Sequence, residues 1–179
     1  MSIGGLHIFD TAIGPCGSAW REQGIVGLQL AEGSAAATLA RLRKRFPELD
    51  IATPGTEVSA VEASVIALLA GGNPDLDFIH LDMREVPDFH RQVYTIVRTI
   101  PRGETLSYGD IARRLGDLSL SRAVGQAMGA NPFAPVVPCH RVMGANGLGG
   151  FSAHGGAATK RRLLALEGTP NVQLSMFDT

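Results

Sequence analysis

Residues 131–142 read Asn131-Pro132-Phe133-Ala134-Pro135-Val136-Val137-Pro138-Cys139-His140-Arg141-Val142. Three of the first eight residues are proline, which removes backbone donors and fixes φ, so the segment cannot be a regular helix. It delivers Cys139 and His140 side by side directly after Pro138, with Arg141 next to them. A thiol in a polar turn beside a histidine and an arginine is expected to have its pKa lowered from about 8.5 toward the thiolate. A buried cysteine is otherwise an inert small hydrophobe, and on local chemistry alone both readings stand. Neighbours in an extended chain point to opposite faces, so His140 needs a helical turn or a bridging water to take the proton of Cys139.

Working outward, the second half of the chain reads as helical. Phe89, Val93, Val97 and Ile100 recur at helical spacing, and Pro101 closes that helix. Ser107 with Asp110 opens a short helix that ends at Gly116. Ser121 starts another, Arg122 to Met128, closed by Gly129 and Asn131-Pro132. Two short helices around a tight turn make a helix-turn-helix pattern. A last helix is expected over about Thr159–Glu167, stopped by Gly168. On the helix 121–128, Ala123, Gly125 and Ala127 are small, and only Arg122 is long and charged. Gly125 costs that helix about 0.5–1 kcal/mol relative to alanine, which points to a close approach of its backbone to something.

The first half reads as mixed α/β. Apolar runs around Leu6–Phe9 and Ile25–Leu30 suggest antiparallel strands. Ser34 caps a helix running to Phe46, where Pro47 stops it. Ser59 with Glu62 is expected to open a second helix through Leu68 and Leu69 to Gly71-Gly72. Residues 73–87 read as a connection with one more short strand.

The net charge of −1 hides an asymmetry. Residues 1–83 carry five Lys/Arg against ten Asp/Glu, and residues 84–168 carry eleven against six. A basic half beside an acidic half suggests a polyanion as partner, with ordinary surface variation as the alternative. No apolar run reaches the roughly 18–20 residues that span a bilayer, and the opening MSIGGLHIFD has no basic flank, so neither membrane nor export is expected. Cys16 and Cys139 are then expected as free thiols in the reducing cytoplasm.

Pro138-Cys139-His140-Arg141-Val142 resembles the active-site signature of the O6-alkylguanine-DNA alkyltransferase family. Ser107-Tyr108-Gly109-Asp110-Ile111-Ala112, Ser121 through Met128, Asn131-Pro132, and Lys160 through Gly168 follow in the family's order and spacing. The resemblance is strong over about 89–168 and weaker over the first half. It implies an α/β domain over 1–83, ribonuclease-H-like with a small antiparallel sheet and helices, and a mostly α catalytic domain over 84–168 with a winged-helix-like helix-turn-helix. The implied function is repair of O6-alkylguanine in double-stranded DNA by a monomer that uses no cofactor and acts once; the sequence leaves activity on O4-alkylthymine open.

The resemblance also assigns roles. Cys139 is the nucleophile, His140 its base through water, Glu167 the carboxylate that orients His140, and Asn131 the hinge between recognition helix and active-site turn. Tyr108 donates its proton to the leaving base. Arg122 fills the stack of a flipped nucleotide, while Ala123, Gly125 and Ala127 let the helix lie in the minor groove. Met128 and Val142 wall the base pocket, and Ser152 is the residue of the 150–156 loop chosen to contact O6. The zinc positions of some members hold Ser2, Arg21 and Val26 here, leaving only His80, so no metal is expected. Alkyltransferase-like proteins bind the lesion without transfer but carry tryptophan where Cys139 stands. A transcription regulator would need a more basic recognition helix, and a cysteine hydrolase a glycine-rich oxyanion turn before the cysteine.

In the tail, 169–179, the stretch Gln173-Leu174-Ser175-Met176-Phe177 resembles the bacterial sliding-clamp-binding pentapeptide. Gln173, Leu174, Met176 and Phe177 would make its contacts, and a replication clamp would be the partner. The alternative is that the apolar side chains fold back onto the body of the protein.

Overall fold

The computed structural model describes residues 3–144, 147–149, 151, 153 and 155–170. The chain divides into two compact units. One comprises the residues up to Glu85 together with Pro132–Val136; the other runs from Val86 to Asn131 and from Val137 onward.

The first unit is a three-stranded antiparallel sheet in the order β1 (Gly5–Thr11), β2 (Gly14–Arg21), β3 (Gly24–Gln29), with helices α1 (Ala35–Arg45) and α2 (Thr56–Leu69). Both outer strands gain a parallel bridge, Leu6 with Ile51 and Ile25 with Leu81. The bridge at Leu81 is what forms where a further short strand was expected. Ser34 caps α1 as its sequence suggested, its Oγ accepting from the Ala37 N–H at 3.1 Å.

Leu6, Ala19, Val26, Leu42 and Phe46 form the core of this unit, with α1 laid on the sheet. Two glycines make that approach possible. A Cβ on Gly17 would sit 2.3 Å from Leu42 Cδ1, and one on Gly27 would sit 2.6 Å from the Phe46 ring. The expected capping box at Ser59 does not form, because α2 begins three residues earlier. The Ser59 N–H already bonds to the Gly55 carbonyl at 2.9 Å. Glu62 is instead buried, accepting from Ser18 Oγ at 2.7 Å and lying 2.8 Å from His7 Nδ1.

The second unit contains α3 (Asp88–Val97), β4 (Leu106–Ser107), α4 (Tyr108–Arg114), α5 (Ser121–Gly129), β5 (Val142–Met143) and α6 (Gly156–Leu166). The expected box caps α4. The Asp110 N–H bonds to Ser107 Oγ at 3.0 Å, and the Ser107 N–H bonds to Asp110 Oδ2 at 2.9 Å. A 3-10 turn, Leu118–Leu120, joins α4 to α5. Ser121 is the first residue of α5 rather than its cap, and its hydroxyl donates to the Leu118 carbonyl at 2.7 Å. Buried Tyr94 of α3 donates its hydroxyl to the Ala127 carbonyl at 2.8 Å and so locks α5 onto α3. α6 starts three residues before the expected Thr159. β4 and β5 pair in parallel, which sets Ser107 opposite Met143 and brings the start of α4 beside the cysteine segment. No helix among the described residues is long and apolar enough to cross a membrane.

Candidate active site

Cys139, His140 and Arg141 form one 3-10 turn. The Cys139 N–H bonds to the Val137 carbonyl and the Arg141 N–H to that of Pro138, each at 2.8 Å. Of the two expected arrangements the chain forms the helical turn, but neighbours in such a turn do not face each other and His140 Nδ1 makes no hydrogen bond to Cys139. All three residues are buried, with Cys139 6% and His140 1% exposed.

His140 Nε2 is hydrogen-bonded to Glu167 Oε1. Glu167 follows the last residue of α6 and also accepts from Arg141 Nε at 2.8 Å, while Arg141 Nη1 donates to the Ile100 carbonyl at 2.7 Å. A carboxylate can only accept, so Nε2 carries the proton and Nδ1 keeps its lone pair. Nδ1 is buried and has no hydrogen-bond partner among the described residues.

Burial sets the electrostatics. It pushes the Cys139 thiol up, and the opposing hydrogen bond from Asn131 and charge of Lys160 do not cancel it. This corrects the expectation of a lowered thiol pKa: the polar neighbours in sequence do not keep Cys139 solvated. Burial pushes His140 down against the pull of Glu167, so the imidazole is neutral near pH 7. Burial raises the Glu167 carboxyl, but His140 and Arg141 outweigh it and hold it below the usual range.

Those two shifts act in one direction. Between the unfolded histidine value of 6.5 and the lower folded one, the unfolded chain binds a proton that the folded chain does not. Stability should thus fall as the pH drops below 6.5. The contribution of Glu167, full above its ordinary 4.5, should be lost as the pH falls through its folded value. Melting temperatures from pH 8 to 4 should decline accordingly. A flat profile through the histidine range would contradict a buried neutral His140.

Asn131 donates from Nδ2 to the Val137 carbonyl at 2.8 Å and hydrogen-bonds Cys139, tying the end of α5 to the cysteine turn. Tyr108 is the first residue of α4. A Cβ on Gly149 would lie 2.8 Å from its hydroxyl, so the Gly149 backbone packs on that group. Arg122 is exposed, and Ala123 and Gly125 are partly so. Ala127 departs from the expected groove face, because the Tyr94 contact draws it fully into the unit. Met128 and Val142 are buried. Ser152, Gln173, Leu174, Met176 and Phe177 lie outside the described residues.

One buried residue received no role from the sequence. Lys160 of α6 is fully buried, with Nζ donating to the Val142 carbonyl at 2.5 Å and to the Leu148 carbonyl. Its spacing carried the signal: Lys160, Leu163, Leu164 and Glu167 stand at i, i+3, i+4 and i+7, one helix face. Among the described residues, no group of three or more His, Cys, Asp or Glu is placed to hold a metal ion.

A family model described as 6-O-methylguanine DNA methyltransferase, DNA binding domain, matches residues 88–169. The methylated-DNA–protein-cysteine methyltransferase of Mycolicibacterium paratuberculosis is 48% identical over 114 residues, covering 63% of this chain and 67% of that one. The Methanosarcina acetivorans protein of the same name is 36% identical over 168 residues, covering 90% and 97%. The crystal structure of Mycobacterium tuberculosis OGT in complex with DNA matches with a TM-score of 0.72 at 36% identity, covering 91% of this chain and 92% of that one. Fold, site and relatives together define a protein-cysteine transferase of DNA repair. The chain belongs to the methylated-DNA–protein-cysteine methyltransferase family.

Proposed function

We propose that this chain repairs duplex DNA by moving the alkyl group from O6 of guanine onto Sγ of its own Cys139, once per molecule. The observation that carries the proposal is the buried turn in which Cys139 stands next to a neutral His140 backed by Glu167. A thiol raised by burial needs a base, and His140 Nδ1 is the lone pair available, reached through water. The thiolate forms the S–C bond as the C–O6 bond breaks. The electron pair stays on guanine, which Tyr108 protonates. The thioether formed has no easy chemical route back to the thiol, so one alkyl per protein is the limit. Incubation with excess methylated duplex should add one methyl mass to each molecule and then stop. Continued turnover would refute the proposal.

A stacked guanine hides its target atom, so the base must leave the helix. The outward face of α5 suits that step: Arg122 fills the gap, and Ala123 and Gly125 permit backbone contact in the minor groove. A Cβ on Gly125 would lie 3.9 Å from the Tyr108 ring, an ordinary contact, so packing among the described residues does not explain the glycine. Met128 and Val142 would wall the base pocket, Ser152 would contact O6, and the Lys/Arg of 84–168 other than the buried Arg141 and Lys160 would meet phosphates. Arg122→Ala should slow reaction on duplex DNA far more than on free O6-benzylguanine, since only the duplex requires a nucleotide to be held out of the stack. Equal losses would assign Arg122 to folding.

The domain reading is part of the same proposal: a ribonuclease-H-like domain over 1–83 and a winged-helix-like catalytic domain over 84–168, acting as a cytoplasmic monomer. For the tail, 169–179, the pentapeptide pattern supports a sliding clamp as partner, which would raise the local concentration of a single-use protein at replicating DNA. The full chain should bind the clamp of its source organism more tightly than a variant carrying Gln173→Ala, Leu174→Ala and Phe177→Ala. Equal binding would end the clamp reading.

A further inference from the structure

Lys160 is a conspicuous charge to find inside the second unit. It is fully buried, and burial brings its ammonium down to about 8, against the opposing pull of the charge on Cys139. If α6 needed only packing at this position, a leucine would serve without desolvating a charge. What a leucine lacks is a donor. Nζ donates to the carbonyls of Val142 and Leu148, which stand on either side of a glycine-bearing turn where Gly144 and Gly147 form an antiparallel bridge.

The geometry continues from there to the site. Val142 closes the 3-10 turn of Cys139, and Gly149 follows Leu148 directly. Gly149 has φ of +71°, and a Cβ there would meet the Tyr108 hydroxyl at 2.8 Å and the Gly144 nitrogen at 2.9 Å. The Gly149 backbone is thus pressed between the other arm of the turn and the Tyr108 hydroxyl. One ammonium fastens both ends of this arrangement to α6, the same helix that leads to Glu167.

We propose that Lys160 is a positioning residue for alkyl transfer: it ties the Val142 and Leu148 carbonyls together, holds Gly149 against the Tyr108 hydroxyl, and so fixes that hydroxyl relative to Cys139. Lys160 acts through the backbone and does not touch the reacting atoms. The inference rests on the alkyl-transfer reading above. Misplacing a reacting group by about 1 Å costs on the order of 100-fold in rate, and that is the scale expected here.

The test compares full-length wild type, Lys160→Met and Lys160→Gln by three measurements. These are the transfer rate constant on methylated duplex and on free O6-benzylguanine, the affinity for lesion duplex, and hydrogen exchange at the amides of Met143, Gly147 and Gly149. Met removes the donor at similar length, and Gln restores a neutral one. The expected result is a loss of about 100-fold for Met on both substrates, with unchanged duplex affinity, faster exchange at the three amides, and partial recovery with Gln. Full activity in Lys160→Met, or lost activity with unchanged exchange, would overturn the positioning role. Loss of cooperative melting in both variants would overturn it in favour of a purely structural role. If the wild type itself moved no alkyl group to Cys139, the alkyl-transfer reading would fall, and the exchange comparison would still decide whether Lys160 holds the turn.

Discussion

Cys139→Ser should abolish alkyl transfer and leave binding of lesion-containing duplex largely intact. A serine hydroxyl is a far weaker nucleophile at neutral pH, and His140 cannot generate enough alkoxide to compensate. The substitution keeps the small side chain in the 3-10 turn, and the bonds that shape the turn run through the backbone N–H groups of Cys139 and Arg141. The outward face of α5 is therefore unchanged. Gel-shift affinity and a single-turnover transfer assay on the same preparation separate the two effects. Substantial transfer by the serine variant would remove Cys139 from the centre of the mechanism. Lost binding with full folding would mean that the thiol itself recognises the lesion.

Glu167→Ala has the second large expected effect, on both stability and rate. Glu167 is 5% exposed and is the shared acceptor for His140 Nε2 and Arg141 Nε. Removing one partner of a buried pair leaves an uncompensated charge, here the guanidinium of Arg141, at a cost of about 3–5 kcal/mol. The remaining bond from Arg141 ends on the uncharged Ile100 carbonyl and does not replace the lost carboxylate. Without Glu167, His140 also loses the contact that fixes its tautomer, so the surviving folded protein should react slowly. Urea unfolding gives the first quantity and single-turnover kinetics the second. A stability loss below about 1 kcal/mol, the range of an exposed ion pair, would show that the site is wetter than its burial indicates. Glu167→Gln, which keeps size and an acceptor oxygen, should lose less stability than alanine.

How far such a site can be read from sequence depends on whether the decisive interaction is local. Ser34 with Pro47, and Ser107 with Asp110, bracket their helices through contacts a few residues long, and the structure forms both. The Pro138-Cys139-His140 run likewise marks the turn by its own composition. β2 escaped notice because Gly-Pro-Cys-Gly-Ser-Ala-Trp-Arg carries no β-branched residue and no clear alternation. Its small residues become intelligible only once Leu42 is seen against Gly17. Glu62 looked like a capping partner of Ser59, but it serves Ser18, 44 residues away in sequence. The thiol of Cys139 was misjudged for a related reason. A list of sequence neighbours contains the charges that lower a pKa and omits the burial that raises it. Spacing puts Lys160 on the buried face of α6, but its role stayed hidden because its acceptors are backbone carbonyls, which have no signature in sequence.

The central claim is that the alkyl group ends on Sγ of Cys139. Its most direct test is incubation of the protein with duplex DNA carrying labelled O6-methylguanine, followed by acid treatment, proteolysis and location of the label. The predicted result is acid-stable label, up to one per protein molecule, on the peptide containing Cys139. Label that stays on the DNA, is released to solvent, or appears on the peptide containing Cys16 would contradict the account.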